Sequence, residues 1–200
     1  MFKKVKKDAT LPTRGSKYSA CVDVYANEDV TIGAGETKLV GLGITIDDKE
    51  IKRIVSHHYY YLDKNADKDF EYVKKEFLKS HYLQLMLRSS LATKGLMLGN
   101  GVGVIDLDYK DEIKMIIHNP IMYIDKELNF DKEEDFIDLC YMGASNKGGV
   151  YVYSNTFKIK KGDRIGQLAL LEHKSSLFGI ESEDERNGGF GSTDKKENNV

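Results

Sequence analysis

Short runs of β-branched and aromatic residues, separated by glycine-rich or charged turns and almost free of proline, constrain this chain more than any other feature. Of its 200 residues 18 are Gly and 2 are Pro, so turns recur while few strands are interrupted. The runs lie at residues 22–25, 30–32, 38–42, 43–46, 83–87, 102–105, 113–118, 150–153 and 156–159. Antiparallel β structure is predicted for most of the chain. Apolar and polar residues alternate imperfectly, which suits strands covered on both faces, in a sandwich or at a subunit contact.

Two stretches break this rhythm. Residues 47–81 are charged and aromatic, and Phe70, Val73, Phe77 and Leu78 stand at helical spacing behind Asn65 and Asp67, either of which can cap a helix. An amphipathic helix is predicted there. Residues 120–149 hold an acidic run at 131–135, then Phe136, Leu139 and Cys140, and end in a glycine-rich turn. Connections longer than about 12 to 15 residues are uncommon without structure of their own, so both stretches read as insertions into one β domain. Their aromatic content, Tyr59, Tyr60 and Tyr61 included, predicts one small shared subdomain on the outside of the molecule that offers a surface to a protein partner. Residues 181–200 are polar and aperiodic and read as a mobile arm.

Composition excludes several classes. Lys and Arg number 30 against 32 Asp and Glu, for a net charge of −2, so no positive field favours nucleic acid or a membrane surface. The longest apolar stretches, such as residues 168–171, fall far below the roughly 20 residues that span a bilayer. The basic first residues lack the apolar run of a signal peptide. Two cysteines, Cys21 and Cys140, make no disulfide framework and read as reduced thiols in a cytoplasmic protein.

The residues suited to chemistry fall in separate segments. Asn100-Gly101-Val102-Gly103-Val104-Ile105-Asp106-Leu107-Asp108-Tyr109 reads as a hairpin whose exposed backbone can meet a flat polar ligand beside two carboxylates. Arg88-Ser89-Ser90-Leu91-Ala92 sets a cation and two hydroxyls at a strand end, and Arg186-Asn187-Gly188-Gly189-Phe190-Gly191-Ser192-Thr193 combines glycines, donors and one aromatic face. Both suit phosphate, although neither is a Walker loop. The pair His57-His58 is a weak metal candidate: read as strand residues, they point to opposite faces, and no further ligand follows at zinc spacing. Each segment alone is compatible with an ordinary surface.

Their order is more specific. Asp23 within Val-Asp-Val-Tyr-Ala, Arg88 to Ala92, Asn100 to Tyr109, Gly162-Asp163-Arg164-Ile165-Gly166-Gln167-Leu168 and Arg186 to Thr193 resemble the five ordered motifs of the trimeric deoxyuridine triphosphatases (dUTPases). The likeness covers residues 3–46, 83–119 and 156–193. It implies a mainly β fold, a jelly-roll-like dUTPase barrel carrying a small helical or mixed inserted subdomain. It further implies a homotrimer with sites at subunit contacts, and hydrolysis of dUTP to dUMP and pyrophosphate with Mg²⁺. On that likeness Asp106 is the base, Tyr109 packs on the deoxyribose and excludes a 2′-hydroxyl, and Asn100 with the backbone to Val104 reads uracil. Arg88, Ser89, Ser90 and Gln167 meet phosphates. Arg186, Gly191, Ser192 and Thr193 close over them, with Phe190 laid on the base. Asp23 meets Mg²⁺ through water, and Arg164 forms an ion pair within the trimer. Asp111 and Asp194 stand where the family usually has glycine. The rival readings are a dCTP deaminase of the same fold, and a nucleotide sensor that binds a protein partner through the insertions.

Overall fold

The computed structural model describes residues 1–62, 70–120, 122–125, 139–141 and 150–180. Its fifteen described strands are β1 (Phe2–Lys4), β2 (Thr13–Arg14), β3 (Val22–Tyr25), β4 (Val30–Ile32), β5 (Thr37–Gly41), β6 (Ile44–Ile46), β7 (His81–Leu87), β8 (Met97–Leu98), β9 (Gly103–Asp106), β10 (Lys114–His118), β11 (Met122–Asp125), β12 (Leu139–Tyr141), β13 (Val150–Asn155), β14 (Phe157–Ile159) and β15 (Arg164–Glu172). Helices α1 (Asp48–Leu62) and α2 (Phe70–Ser80) stand between β6 and β7, and the single-turn α3 (Ser89–Ala92) follows β7. Every strand pair is antiparallel. The fold is mainly β and jelly-roll-like.

A five-stranded sheet in the order β2-β3-β15-β7-β9 and a three-stranded sheet β5-β10-β8 contribute to one core, beside the two-stranded pairs β1-β6 and β14-β4. That core contains Val24, Leu83, Leu85, Ile165 and Leu168 from the large sheet and Val40, Leu98, Met115 and Ile117 from the small one. Strand β10 shows how sequence sets this: Met115 and Ile117 are buried while Lys114, Ile116 and His118 are only half covered, the period of two that a pleated strand imposes. At roughly 1.5 to 3 kcal/mol per large apolar side chain removed from water, such positions supply the main drive for closing the sheets. Their approach is close at Gly166, where a Cβ would stand 2.6 Å from Met115 Sδ and 3.0 Å from the Met86 carbonyl oxygen.

Structure departs from the sequence expectations in several places. The longest strand, β15, was not among the nine predicted runs, because Gly162, Asp163, Arg164 and Gly166 dilute its apolar pattern and a register irregularity between Arg164 and Gly166 disturbs its alternation. Helix α1 was unforeseen as well. Asp47 caps it, accepting a hydrogen bond from the Lys49 amide at 3.1 Å, and Ile51 and Val55 bury one narrow face in an otherwise charged helix. His57 and His58 therefore sit on a helix rather than a strand. Helix α2 matches the predicted spacing, although Asn65 and Asp67 lie outside the described residues.

Much of the second insertion lies outside the described residues, so the shared subdomain is described only through the first. Ile51, Val55 and Val73 belong to the main core, since one apolar stripe per helix is most fully covered by packing on the sheets. Asp48–Lys74 at 2.7 Å and Lys52–Glu71 link α1 to α2. Strands β11 and β12 instead flank β13 in a sheet of their own, so β13 extends the second insertion rather than the core series. The acidic run 131–135 lies outside the described residues.

Candidate nucleotide site

Two separate clusters form, at opposite ends of the large sheet. The first centres on Asp23 of β3, which is 5% exposed. Register places Gln167 of β15 directly across from it, and the Gln167 amide donates to Asp23 Oδ1 at 3.1 Å. Arg164 Nη1 reaches Oδ2 at 3.4 Å, and Arg88 Nε lies 3.7 Å from Oδ1. One buried carboxylate thus orients two guanidinium groups and an amide. Arg164 makes an ion pair with Asp23 within the chain.

Beside this cluster lies an open cleft of about 460 Å³ that Arg88, Lys94, Lys158 and Arg164 line together with one acid, Asp163. Four cations against one carboxylate make it suited to a polyanion. Ser89 and Ser90 follow Arg88 on the exposed α3 turn. Lys94 and Lys158 escaped the sequence reading, because residues from separate segments meet only after folding.

The second cluster is a pocket of about 260 Å³ between the two sheets, lined by Asn100, Gly103, Val104, Tyr109 and Lys114 among others. It exists because the turn after β8 changes sheets: β8 pairs with β10, whereas β9 pairs with β7. The predicted hairpin is therefore a crossover that holds the cleft open. Gly101 has φ +71° in that turn, a backbone state that residues with a Cβ rarely adopt. Lys114 is the pocket's cation. The alternation of residues 114–118, with Met115 and Ile117 turned inward, is the signal that could have found it.

Tyr109 is 8% exposed, and its hydroxyl donates to the Glu112 carbonyl oxygen at 3.3 Å. Burial pushes its phenol above the ordinary tyrosine value, and the charges of Asp111 and Glu112 act in the same direction. The ring stays neutral and apolar at physiological pH. Asp106 is an exposed residue two positions after Val104, on the same side of β9. It lies in an open groove with Val104, Tyr82, His173 and Lys174. Arg186, Phe190, Gly191, Ser192 and Thr193 fall outside the described residues.

The five-stranded register keeps the clusters apart. Asp106 pairs with Tyr82 at one end of β7, while Arg88 follows its other end. Six residues at about 3.3 Å each separate them by roughly 20 Å.

A jelly-roll-like β sandwich with a pocket of about 260 Å³ and a separate cationic cleft has the features that suit a nucleotide-handling class of protein. No family model matches the chain, but individual relatives do. It is 29% identical over 194 residues to the deoxyuridine 5′-triphosphate nucleotidohydrolase of Debaryomyces hansenii, covering 94% of this chain and 82% of that one. The Nautilia profundicola protein of the same name is 28% identical, with 97% of each covered. Among solved structures, a dUTPase from phage phi11 of S. aureus, described with a species-specific insert, superposes with a TM-score of 0.51 at 16% identity, covering 96% of this chain and 97% of that one. The dUTPase of Staphylococcus bacteriophage 80alpha, in a mutant with dUpNHpp, gives 0.52 at 19% identity with the same coverage. These relatives support the dUTPase family for this chain.

Proposed function

We propose that this protein hydrolyses dUTP to dUMP and pyrophosphate, which limits uracil incorporation into DNA and supplies dUMP for thymidylate synthesis. The carrying observation is the meeting of Asn100, Val104 and Tyr109 around one pocket, with Asp106 next outward on β9. Asn100 and the turn backbone suit the donor and acceptor edge of uracil. The neutral Tyr109 ring suits the face of a deoxyribose and leaves no polar partner for a 2′-hydroxyl. Asp106 takes a proton from water as its oxygen bonds to the α-phosphorus; the bond from that phosphorus to the bridging oxygen breaks, and pyrophosphate departs with the electron pair.

Phosphates require the other cluster. The α- and γ-phosphorus atoms of one triphosphate lie within a few ångströms of each other, far less than the roughly 20 Å between Asp106 and Arg88 along β7. We therefore assign the site to two or more copies of the chain, in a homotrimer, with Arg88, Ser89, Ser90 and Gln167 of one copy serving the Asp106 pocket of another. An exposed apolar run supports assembly: Leu170, Leu171, Leu177, Phe178 and Ile180, the last three 77–85% exposed, are more than isolated surface residues account for. Arg186, Phe190, Gly191, Ser192 and Thr193 are assigned to an arm that closes the occupied site.

Among the described residues no cluster of three or more acid, His or Cys side chains could cage a metal, and Asp23 is already engaged by Arg88, Arg164 and Gln167. This donor set fits Mg²⁺ carried on the phosphates, which keeps several waters of its own, with Asp23 reaching that water shell. When bound, Mg²⁺ supplies charge neutralisation on the triphosphate. No helix among the described residues is long and apolar enough to cross a membrane; with Cys21 free, the reading places the protein in the cytoplasm. The helix pair spends its apolar face on the core, which leaves the β11-β13-β12 sheet as the insertion we assign to a protein partner.

A pyrophosphate-release assay with Mg²⁺ tests the activity. Selective turnover of dUTP, lost on chelation, is expected; comparable turnover of UTP, dCTP or dTTP, or ammonia release from dCTP, contradicts it.

A further inference from the structure

The cationic cleft beside Asp23 holds two unlike pairs of cations. Arg88 and Arg164 are both directed at the buried Asp23 carboxylate, Arg88 Nε at 3.7 Å and Arg164 Nη1 at 3.4 Å, so one negative charge is already set against them. Lys94 and Lys158 line the same cleft, are exposed, and have no acidic partner among the described residues. Asp163, the acid on the cleft wall, is engaged elsewhere: its carboxylate accepts from the Lys160 amide at 2.8 Å.

Both lysines are carried on fixed backbone. Lys94 follows the α3 turn, its amide donating to the Leu91 carbonyl oxygen at 3.1 Å. Lys158 is the central residue of β14 and pairs in register with Thr31 of β4; its neighbour Ile159 is buried, so the pleat turns Lys158 outward. The turn from β14 to β15 is closed by the Gly162 amide, which donates to the Ala26 carbonyl oxygen at 2.8 Å. Neither lysine falls within the five ordered segments from which the phosphate contacts were read. A guanidinium presents a planar fork, whereas an ammonium is a compact charge with three rotatable donors. The second suits the end of a phosphate chain, where a singly esterified phosphate carries about −1.5 to −2 charges at pH 7 and three acceptor oxygens.

We propose that Lys94 and Lys158 form a subsite for the terminal phosphate and thereby make this chain prefer a nucleoside triphosphate to a diphosphate. The proposal rests on the reading of the Arg88 cleft as the place of the nucleotide's phosphates. Arg88 and Arg164, oriented by Asp23, hold the phosphates nearer the sugar, and the two lysines meet the charge that the third phosphate adds. Their contribution is affinity for the part of the substrate that leaves as pyrophosphate, separate from the proton transfer assigned to Asp106.

Calorimetry on the full chain with Mg²⁺ tests this, with dUMP, dUDP and the non-hydrolysable dUpNHpp as probes, for wild type, Lys94→Gln, Lys158→Gln, the double variant and Arg88→Ala. Each single lysine variant should weaken dUpNHpp by about fivefold and the double variant by about twentyfold, while dUDP weakens by less than about threefold. An unchanged dUMP affinity reports that the variants are folded. Lys158→Arg, which keeps the charge, should restore most of the triphosphate preference. Added salt should shrink the wild-type preference and leave that of the double variant nearly constant. If the double variant keeps the wild-type ratio of dUpNHpp to dUDP affinity while Arg88→Ala weakens dUpNHpp, the lysine subsite is overturned and the cleft reading stands. Equal losses for dUDP and dUpNHpp place the lysines at an inner phosphate and overturn the subsite too. If Arg88→Ala also leaves dUpNHpp affinity where it was, the cleft reading fails and the subsite with it.

Discussion

Asp106 and Asp23 are both aspartates on strands of one sheet, yet their surroundings give them different work. Asp106 is exposed in an open groove beside Val104 and suited to accept a proton from water. Asp106→Asn should lower kcat by about 10² to 10⁴ while dUTP affinity is largely kept, as single-turnover rates and calorimetry would show; an unaltered kcat removes it from the role. Asp23 is buried and engaged by two arginines and a glutamine, so its effect is exerted through the groups it orients. Tyr109 makes a pH-dependent prediction. Its phenol is held above the ordinary tyrosine value, so the folded chain keeps its proton where the unfolded chain has lost it. That contribution to stability is full below the ordinary value and is lost as pH rises through the raised one. Urea unfolding should show a decline above about pH 10 that is shallower in Tyr109→Phe; identical slopes would contradict the assignment.

At the scale of elements, the helix pair is a structural part of the domain. Ile51 is fully buried at its base, so Ile51→Ala should cost about 2 to 5 kcal/mol in urea denaturation. A cost below about 0.5 kcal/mol, the usual range for surface substitutions, would return the helices to the periphery. Most strands were legible because β-branched runs between glycine turns leave the chain little else to form. Helix α1 was not, because the buried residues described on it, Ile51 and Val55, stand amid charged, histidine and tyrosine residues. Strand β15 hid behind its glycines and charges, which are there to serve Asp23 and the close sheet contact. The ordered motifs pointed to Asn100, Val104 and Tyr109, and these three line one pocket. What the motifs did not contain was sheet register: that the turn after β8 changes sheets, that Lys114 faces the pocket, and that Lys94 and Lys158 join Arg88.

Across the whole molecule, the decisive fact is the length of β7. One strand carries the Asp106 pairing at its start and Arg88 just past its end, and no side-chain movement closes roughly 20 Å. The arm belongs to the same scale: deleting residues 186–200 should leave the oligomer intact by light scattering while turnover collapses, and dissociation would show a structural role instead. A shared site requires Asp106 of one copy to work with Arg88 of another. Asp106→Asn and Arg88→Ala chains, each inactive alone, can be co-expressed with different tags and purified as mixed oligomers. In a closed ring of three containing both chain types, one contact in three joins an intact Asp106 to an intact Arg88, so about one third of wild-type dUTP hydrolysis should return. Mixed oligomers no more active than either parent would contradict a shared site.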